Sequence, residues 1–342
     1  MSRAIKRQTR VSMASHKMRK APPTPKVPPP AEEADIVIRK GYVYGPNNIK
    51  FGKIYKKGLV NYGITSISSF FVQDPQAFPE TPQSLQRVIQ AVSENEGKIE
   101  AINTYDNSFL SVGVFQWTAG AGSDAGELPG LLAEIKTLSP ENYETYFGSL
   151  GIEIEVNKHS PEQLAYGYIR LNNELLDTSA KKAVLRKPIW AYRFWRAAHD
   201  KYVRRAQILH AMGRVNTFYY GDMPHYKNLK ISDFITSEYG VALLLDEHVN
   251  RPGHVPGTLR KGLDKYVKLS GKADPASWSD EDETTTLAYY LEYRQKTNMT
   301  NSKGRADATK RYVKLGKLSD KRGSFDVKIE FYRELIRKFR SL

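Results

Sequence analysis

The chain has 342 residues, a formal net charge of +15, 40% hydrophobic residues and no cysteine. That length suffices for one sizeable domain or two small ones, and the lack of cysteine excludes disulfides and thiolate metal sites. No apolar run approaches the roughly 18 to 20 residues of a membrane span, so none is expected.

The charge is concentrated at the ends. Residues 1–30 carry eight Lys/Arg and no acid, residues 303–342 carry thirteen against five, and the rest is within one charge of neutral. Binding to nucleic acid through the tails, solubilising tails, and tails that concentrate the protein on an anionic polymer all fit this distribution. The near-neutral middle does not have the composition of a nucleic-acid-binding domain, so nucleic acid is not expected as its partner.

Residues 1–34 read as a basic arm passing into the proline-rich stretch 21–30, which favours extended polyproline conformation and buries no core. It is expected to be disordered or to dock on a partner. The first twenty residues lack the apolar stretch of a secretory signal. Residues 35–79 form a small β-rich lead-in, with β-prone runs at 36–38, 42–44 and 64–72 and a turn at Gly45-Pro46-Asn47-Asn48.

A helix is predicted to start at Thr81-Pro82, carry Leu85, Val88, Ile89 and Val92 on one face, and stop at Gly97. Glu94 then lies in its last turn, where the helix dipole disfavours an ionised carboxylate. Shelter beside Phe115 and Trp117 would act in the same direction. A carboxyl kept protonated in this way suits a general acid that protonates a glycosidic oxygen. An ordinary solvated glutamate at a fraying helix end is the alternative. After the helix comes a polar hairpin-like stretch with Tyr105-Asp106-Asn107, then Gly113-Val114-Phe115-Gln116 and Trp117-Thr118. Asp106 either assists water or the developing positive charge, or closes an Asx turn. Tyr105, Phe115 and Trp117 either stack on sugars or fill the core.

This run, from Glu94-Asn95 to the Gly-x-x-Gln turn ending at Gln116, resembles the catalytic core of the lysozyme superfamily: goose-type lysozymes, lytic transglycosylases and chitosanase relatives. A second stretch, from Thr236 to Asp246 and from His248 to Gly253, is similar to the closing helical lobe of such proteins. The resemblance covers residues from about 80 to about 295. It implies Glu94 as the catalytic acid and Asp106 as a second carboxylate, although lytic transglycosylases manage with the glutamate alone. It implies Gly113 as the turn, Gln116 as a substrate-facing amide, and Tyr239 and Asn250 as cleft residues of the second lobe; Tyr105, Trp117 and Thr118 are further substrate-binding candidates.

Farther along, helices are predicted from Gly126-Glu127-Leu128-Pro129 to about Thr137, from Ser139-Pro140, from Ser160-Pro161, from Pro188, over 202–212, over 240–249 behind a Thr236 or Ser237 cap, over 284–296 and over 325–340. Glu127 reads as a helix-start acid, and Asp124 as an exposed loop residue. Arg193 and Arg196 read as a surface pair that could otherwise meet acidic groups of a substrate. The seven histidines show no metal-site spacing, and no phosphate loop or Gly-x-Ser-x-Gly elbow is present. No cofactor and no metal are expected.

The expected fold is α+β and mostly helical: a two-lobed, lysozyme-like domain over 80–300 with a small β-hairpin region beside its cleft, followed by a basic helical extension over 301–342. The expected function is a β-1,4 glycan hydrolase acting on bacterial cell-wall peptidoglycan or a related amino-sugar polymer. Without a signal sequence, synthesis in the cytoplasm with release by lysis, or delivery in a phage-like or contractile injection particle through residues 1–34, is expected. A non-catalytic particle component with a degenerate lysozyme-like domain is the alternative.

Overall fold

The computed structural model describes residues 26–157 and 164–340. It is α+β, with thirteen α-helices and two antiparallel sheets among the described residues. The larger sheet starts as a meander of β1 (Val37–Arg39), β2 (Tyr42–Tyr44), β3 (Lys50–Tyr55) and β4 (Gly58–Asn61). A turn at Pro46–Asn48 joins β2 to β3, as the Gly-Pro-Asn-Asn signal predicts. Val43 and Leu59 point into the core, and an irregularity of register between Val43 and Tyr44 lets Phe51 turn inward as well.

The 64–72 run is not a strand. Ser66 accepts a hydrogen bond from the Ser69 amide and caps helix α1 (Ile67–Gln73), whose buried Ile67 and Phe70 repeat at a helical interval. A local cap and a three-residue apolar spacing prevail there over β-branched composition.

Helix α2 (Gln83–Glu96) follows, one residue inside the predicted Thr81-Pro82 start, and ends at Gly97. Strands β5 (Ile102–Asn103), β6 (Ser111–Val112) and β7 (Trp117–Thr118) extend the same sheet, in the order β1 to β7. The lead-in and the region after Glu94 therefore share one continuous ladder.

Helices α3 (Leu128–Leu138) and α4 (Pro140–Tyr146) begin near their predicted prolines. The smaller sheet is built from β8 (Ile152–Val156), β9 (Gly167–Leu171) and β10 (Glu174–Leu175); composition did not reveal it. The Ser160-Pro161 helix start lies outside the described residues. Helix α5 (Ser179–Lys182) leads to α6 (Pro188–Ala197) and α7 (Lys201–Tyr219), the longest helix described. After α8 (Ile231–Phe234) comes α9 (Glu238–Asn250), whose Ser237 side chain accepts from the Gly240 amide as the sequence predicts. Residues 241–248 of α9 are all buried. Helices α10 (Val255–Ser270), α11 (Asp280–Gln295), α12 (Ser302–Lys314) and α13 (Ile329–Arg340) close the chain. No described helix is long and apolar enough to cross a membrane.

The described residues of both ends touch this body. In the arm, the Pro28 carbonyl accepts from Arg196 Nε at 2.9 Å and the Pro29 carbonyl from the Tyr192 hydroxyl at 2.8 Å, both on α6. Toward the C-terminus, Phe325, Val327 and Tyr332 are buried in the common core.

Candidate active site

Glu94 is exposed on the last turn of α2. It lines an open groove of about 670 Å³ walled by α1, α2 and residues of α12 and its C-terminal end, a size typical of small-ligand sites. The polar groups there are Ser66, Ser68, Gln83, Gln86, Gln90, Arg87, Tyr312 and Lys317, with Phe71 as an apolar wall. Gln90 Nε2 donates to Glu94 Oε1 at 2.5 Å, the i, i+4 contact of one helix face. Burial pushes the Tyr312 phenol up, the Glu94 carboxylate adds to this, and Gln90 opposes it. Amides, hydroxyls, an aromatic face and a single carboxyl, beside Arg87 (paired with Glu238) and Lys317, suit a polar ligand such as an amino sugar, one bearing a carboxylate included.

The shelter expected for Glu94 from Phe115 and Trp117 is absent. Both rings are core, at 2% and 1% exposure, and Trp117 packs edge-on against His210 at 5.3 Å instead of facing solvent.

The hairpin residues do not line this groove. Asp106 closes an Asx turn: Oδ2 accepts from Asn103 Nδ2 at 2.7 Å and Oδ1 from the Ser108 amide at 2.8 Å. Arg186 holds the same turn through the Asp106 carbonyl. Tyr105 packs edge-on against Tyr55 at 4.7 Å, and Thr118 Oγ1 accepts from the Gly120 amide at 3.2 Å. Gln116 adopts a left-handed backbone, φ 50°, and spends its side-chain NH₂ on the Gly113 carbonyl at 3.0 Å. It stiffens the turn from within. The order helix end, strands, Gly-x-x-Gln turn is nevertheless realised in space, because the turn packs on the end of α2. A Cβ at Gly97 would lie 3.1 Å from both Gln116 Nε2 and the Gly113 carbonyl oxygen.

Asn250 and Asp246 of the second stretch reach the end of α2, and Asn250 meets Glu96, not Glu94. Its Nδ2 donates to Glu96 Oε1 at 3.0 Å. Arg305 of α12 pairs with the same carboxylate and with Asp246, at 2.6 Å to Oδ1. Asp246 is completely buried and also takes Arg294 at 2.7 Å and Asn95 Nδ2 at 3.2 Å. Burial raises the Glu96 carboxyl above its ordinary value; Arg305 opposes this and Asp246 adds to it. Tyr239, 9% exposed, lies in the core at the start of α9.

Behind the turn, α7 carries a buried polar ladder. Arg204 pairs with Glu100, Gln207 donates to the Ile99 carbonyl at 3.0 Å, His210 sits between Glu134 and Glu127, and Arg214 pairs with Glu127. Glu127 is thus a buried structural anion, while Asp124 is exposed. Burial, and then Arg214, depresses the His248 imidazole well below its ordinary value. Arg193 stacks on Trp190 at 4.5 Å and Arg196 on Tyr146 at 4.7 Å; neither lines the Glu94 groove.

Glu96, which by sequence is an ordinary solvated acid at the helix end, Arg305 and Asp246 are not marked as a cluster by the sequence. The signal for Glu96 was its place two residues after Glu94 on the same terminal turn. Nothing local marks Arg305, which stands 209 positions away from Glu96 in the chain. No protein-family model matches the chain, and no curated protein matches it.

Proposed function

We propose that the chain cleaves a β-1,4-linked amino-sugar glycan such as peptidoglycan, with Glu94 as proton donor. The observation that carries this reading is the exposed, helix-terminal Glu94 in a groove of sugar dimensions whose other polar groups are amides, hydroxyls, Arg87 and Lys317, with the Phe71 ring as a wall. Among the described residues Glu94 is the sole carboxyl lining this groove, so it would serve twice. As acid it protonates the bridging oxygen while the bond to the anomeric carbon breaks. As carboxylate it then takes the proton of the hydroxyl that attacks that carbon. An attacking hydroxyl from the same sugar leaves an anhydro-sugar, and water leaves a reducing end. Lacking a second carboxylate to position water, the groove favours the transglycosylase outcome. Mass analysis of digested, purified sacculi tests this: anhydro-ended fragments are expected, and reducing ends alone would refute the single-carboxyl mechanism.

A second reading places the acid at Glu96, because it is the carboxyl at this helix end that burial raises. It requires Arg305 to release Glu96 before a glycosidic oxygen can approach. The non-catalytic alternative, a particle component, predicts that purified protein leaves sacculi intact. Carriage in a particle through the arm predicts that removing residues 1–34 abolishes loading and spares turnover.

A further inference from the structure

The outward face of the lead-in strands has no role in the groove chemistry, yet its composition is one-sided. Residues 36–73 contain six Lys/Arg and no Asp or Glu. The register sorts the side chains. Val43, Gly52 and Leu59 face the core, so Arg39, Tyr42, Tyr44, Lys50, Lys53 and Tyr55 share the opposite face. Arg39 pairs across to Tyr42, and Tyr42 to Lys53, in one row; Tyr44 and Lys50 pair in the next. The Arg39 guanidinium lies 4.4 Å over the Tyr44 ring and the Lys50 ammonium 4.1 Å over the Tyr42 ring. Lys56 reaches both Tyr55 and Tyr105. All six cations are exposed, and none forms an ion pair among the described residues. Six cations without an ion-pair partner, on one small sheet and its turns, create a positive field that attracts an external anion.

We propose that this face of β1–β4 binds an acidic polysaccharide, one that carries a carboxylate on every second sugar, and holds it for the groove that opens at α1. The proposal rests on the glycan-cleaving reading for its choice of a sugar polymer, and it assigns that substrate its anionic character. Two features favour a glycan over a nucleic acid. Arg39 and Lys53 stand on strands two apart, roughly 10 Å at the backbone, several times the about 3.4 Å of axis per phosphate on one DNA strand. Cations also cover faces of Tyr42 and Tyr44 that bases would need for stacking, leaving ammonium, guanidinium and phenol donors for carboxylates and hydroxyls. The chain itself leads onward, since exposed Tyr62 and Ile64 connect β4 to Ser66 and α1, the groove wall.

The test measures binding apart from turnover, in full-length Glu94→Gln protein. The probes are hyaluronan oligosaccharides (alternating carboxylate and amino sugar), neutral chitin oligosaccharides and single-stranded oligothymidylate. Hyaluronan affinity is expected to fall at least tenfold in the triple variant Arg39→Ala/Lys50→Ala/Lys53→Ala and to fall with salt, while chitin-oligosaccharide binding stays unchanged. Lys53→Glu alone, at an exposed side chain, is expected to show the same direction with an unaltered thermal midpoint. Undiminished hyaluronan binding in both variants overturns the proposal, as does tighter binding of oligothymidylate lost in the same variants. Absence of sacculus turnover in wild type, with hyaluronan binding intact, refutes the cleavage reading and leaves the platform standing.

Discussion

Two isosteric substitutions on one helical turn separate the candidate acids. Glu94→Gln keeps an amide oxygen for Gln90 to donate to and alters an exposed side chain, so stability should shift by no more than about 0.5 kcal/mol. If Glu94 is the acid, losing proton transfer lowers turnover by about 10² to 10⁴, or roughly 2.7–5.4 kcal/mol on the barrier. Glu96→Gln removes a carboxylate from Arg305, but Arg305 keeps Asp246, with Nη2 at 2.6 Å and Nε at 3.1 Å. The cost should therefore fall below the 3–5 kcal/mol of an abandoned buried charge, at about 1–3 kcal/mol, with turnover retained in the folded fraction. Dye release from labelled sacculi gives turnover, and urea melts give stability. Full turnover in Glu94→Gln with loss beyond a hundredfold in folded Glu96→Gln moves the acid to Glu96. Retention within twofold in both variants refutes acid catalysis from this helix end.

Asp246→Ala strands Arg294, whose side chain is 0% exposed, and should destabilise by about 3–5 kcal/mol in the same urea melts; a loss under 1 kcal/mol would show that the network is not coupled. Gly113 has φ +78°, and a Cβ there would collide with the Gln207 side-chain oxygen Oε1 and the Trp117 ring. Gly113→Ala should cost about 2–3 kcal/mol from backbone strain and overpacking, and an unchanged urea midpoint would contradict that packing. Glu96 is raised in the folded state, so it binds its proton more tightly there than in the unfolded chain. Its contribution to stability is present below the ordinary carboxyl value of about 4.3 and is lost as pH rises through the higher folded value. Glu96→Gln should flatten that part of a stability–pH curve, and an identical slope would show that Glu96 does not set it.

Local signals were legible because they lie within one turn of the chain. Gly97 ends α2, Ser237 caps α9, and the prolines at 129, 140 and 188 sit at helix starts. The reading of 64–72 as β failed for a local reason too: its β-branched and aromatic residues outweighed the Ser66 cap. Asp106 had two readings, and its neighbours Asn103 and Ser108 select the Asx turn. The site's walls were not legible. Groove residues Ser66, Glu94 and Tyr312 come from α1's cap, α2 and α12, and no periodicity links segments that far apart.

The polar cluster follows from how α2 and α9 pack. Arg87 of α2 pairs with Glu238 at the start of α9, with Nε at 3.0 Å. Asn95 meets Asp246, and Glu96 meets Asn250. Contacts advance along both helices in the same direction, so the helices run parallel and their C-terminal ends arrive together. Two negative dipole ends and two carboxylates then converge in a place with little water. Arg294 and Arg305, which reach this point from α11 and α12, supply the charge that lets it stay folded. Glu94 lies two residues back from Glu96, which turns it by about 200° around the helix, away from the arginines and into the open groove. The two acids therefore part on one turn: Glu96 ties the helix end to α9 and α12, and Glu94 faces the groove.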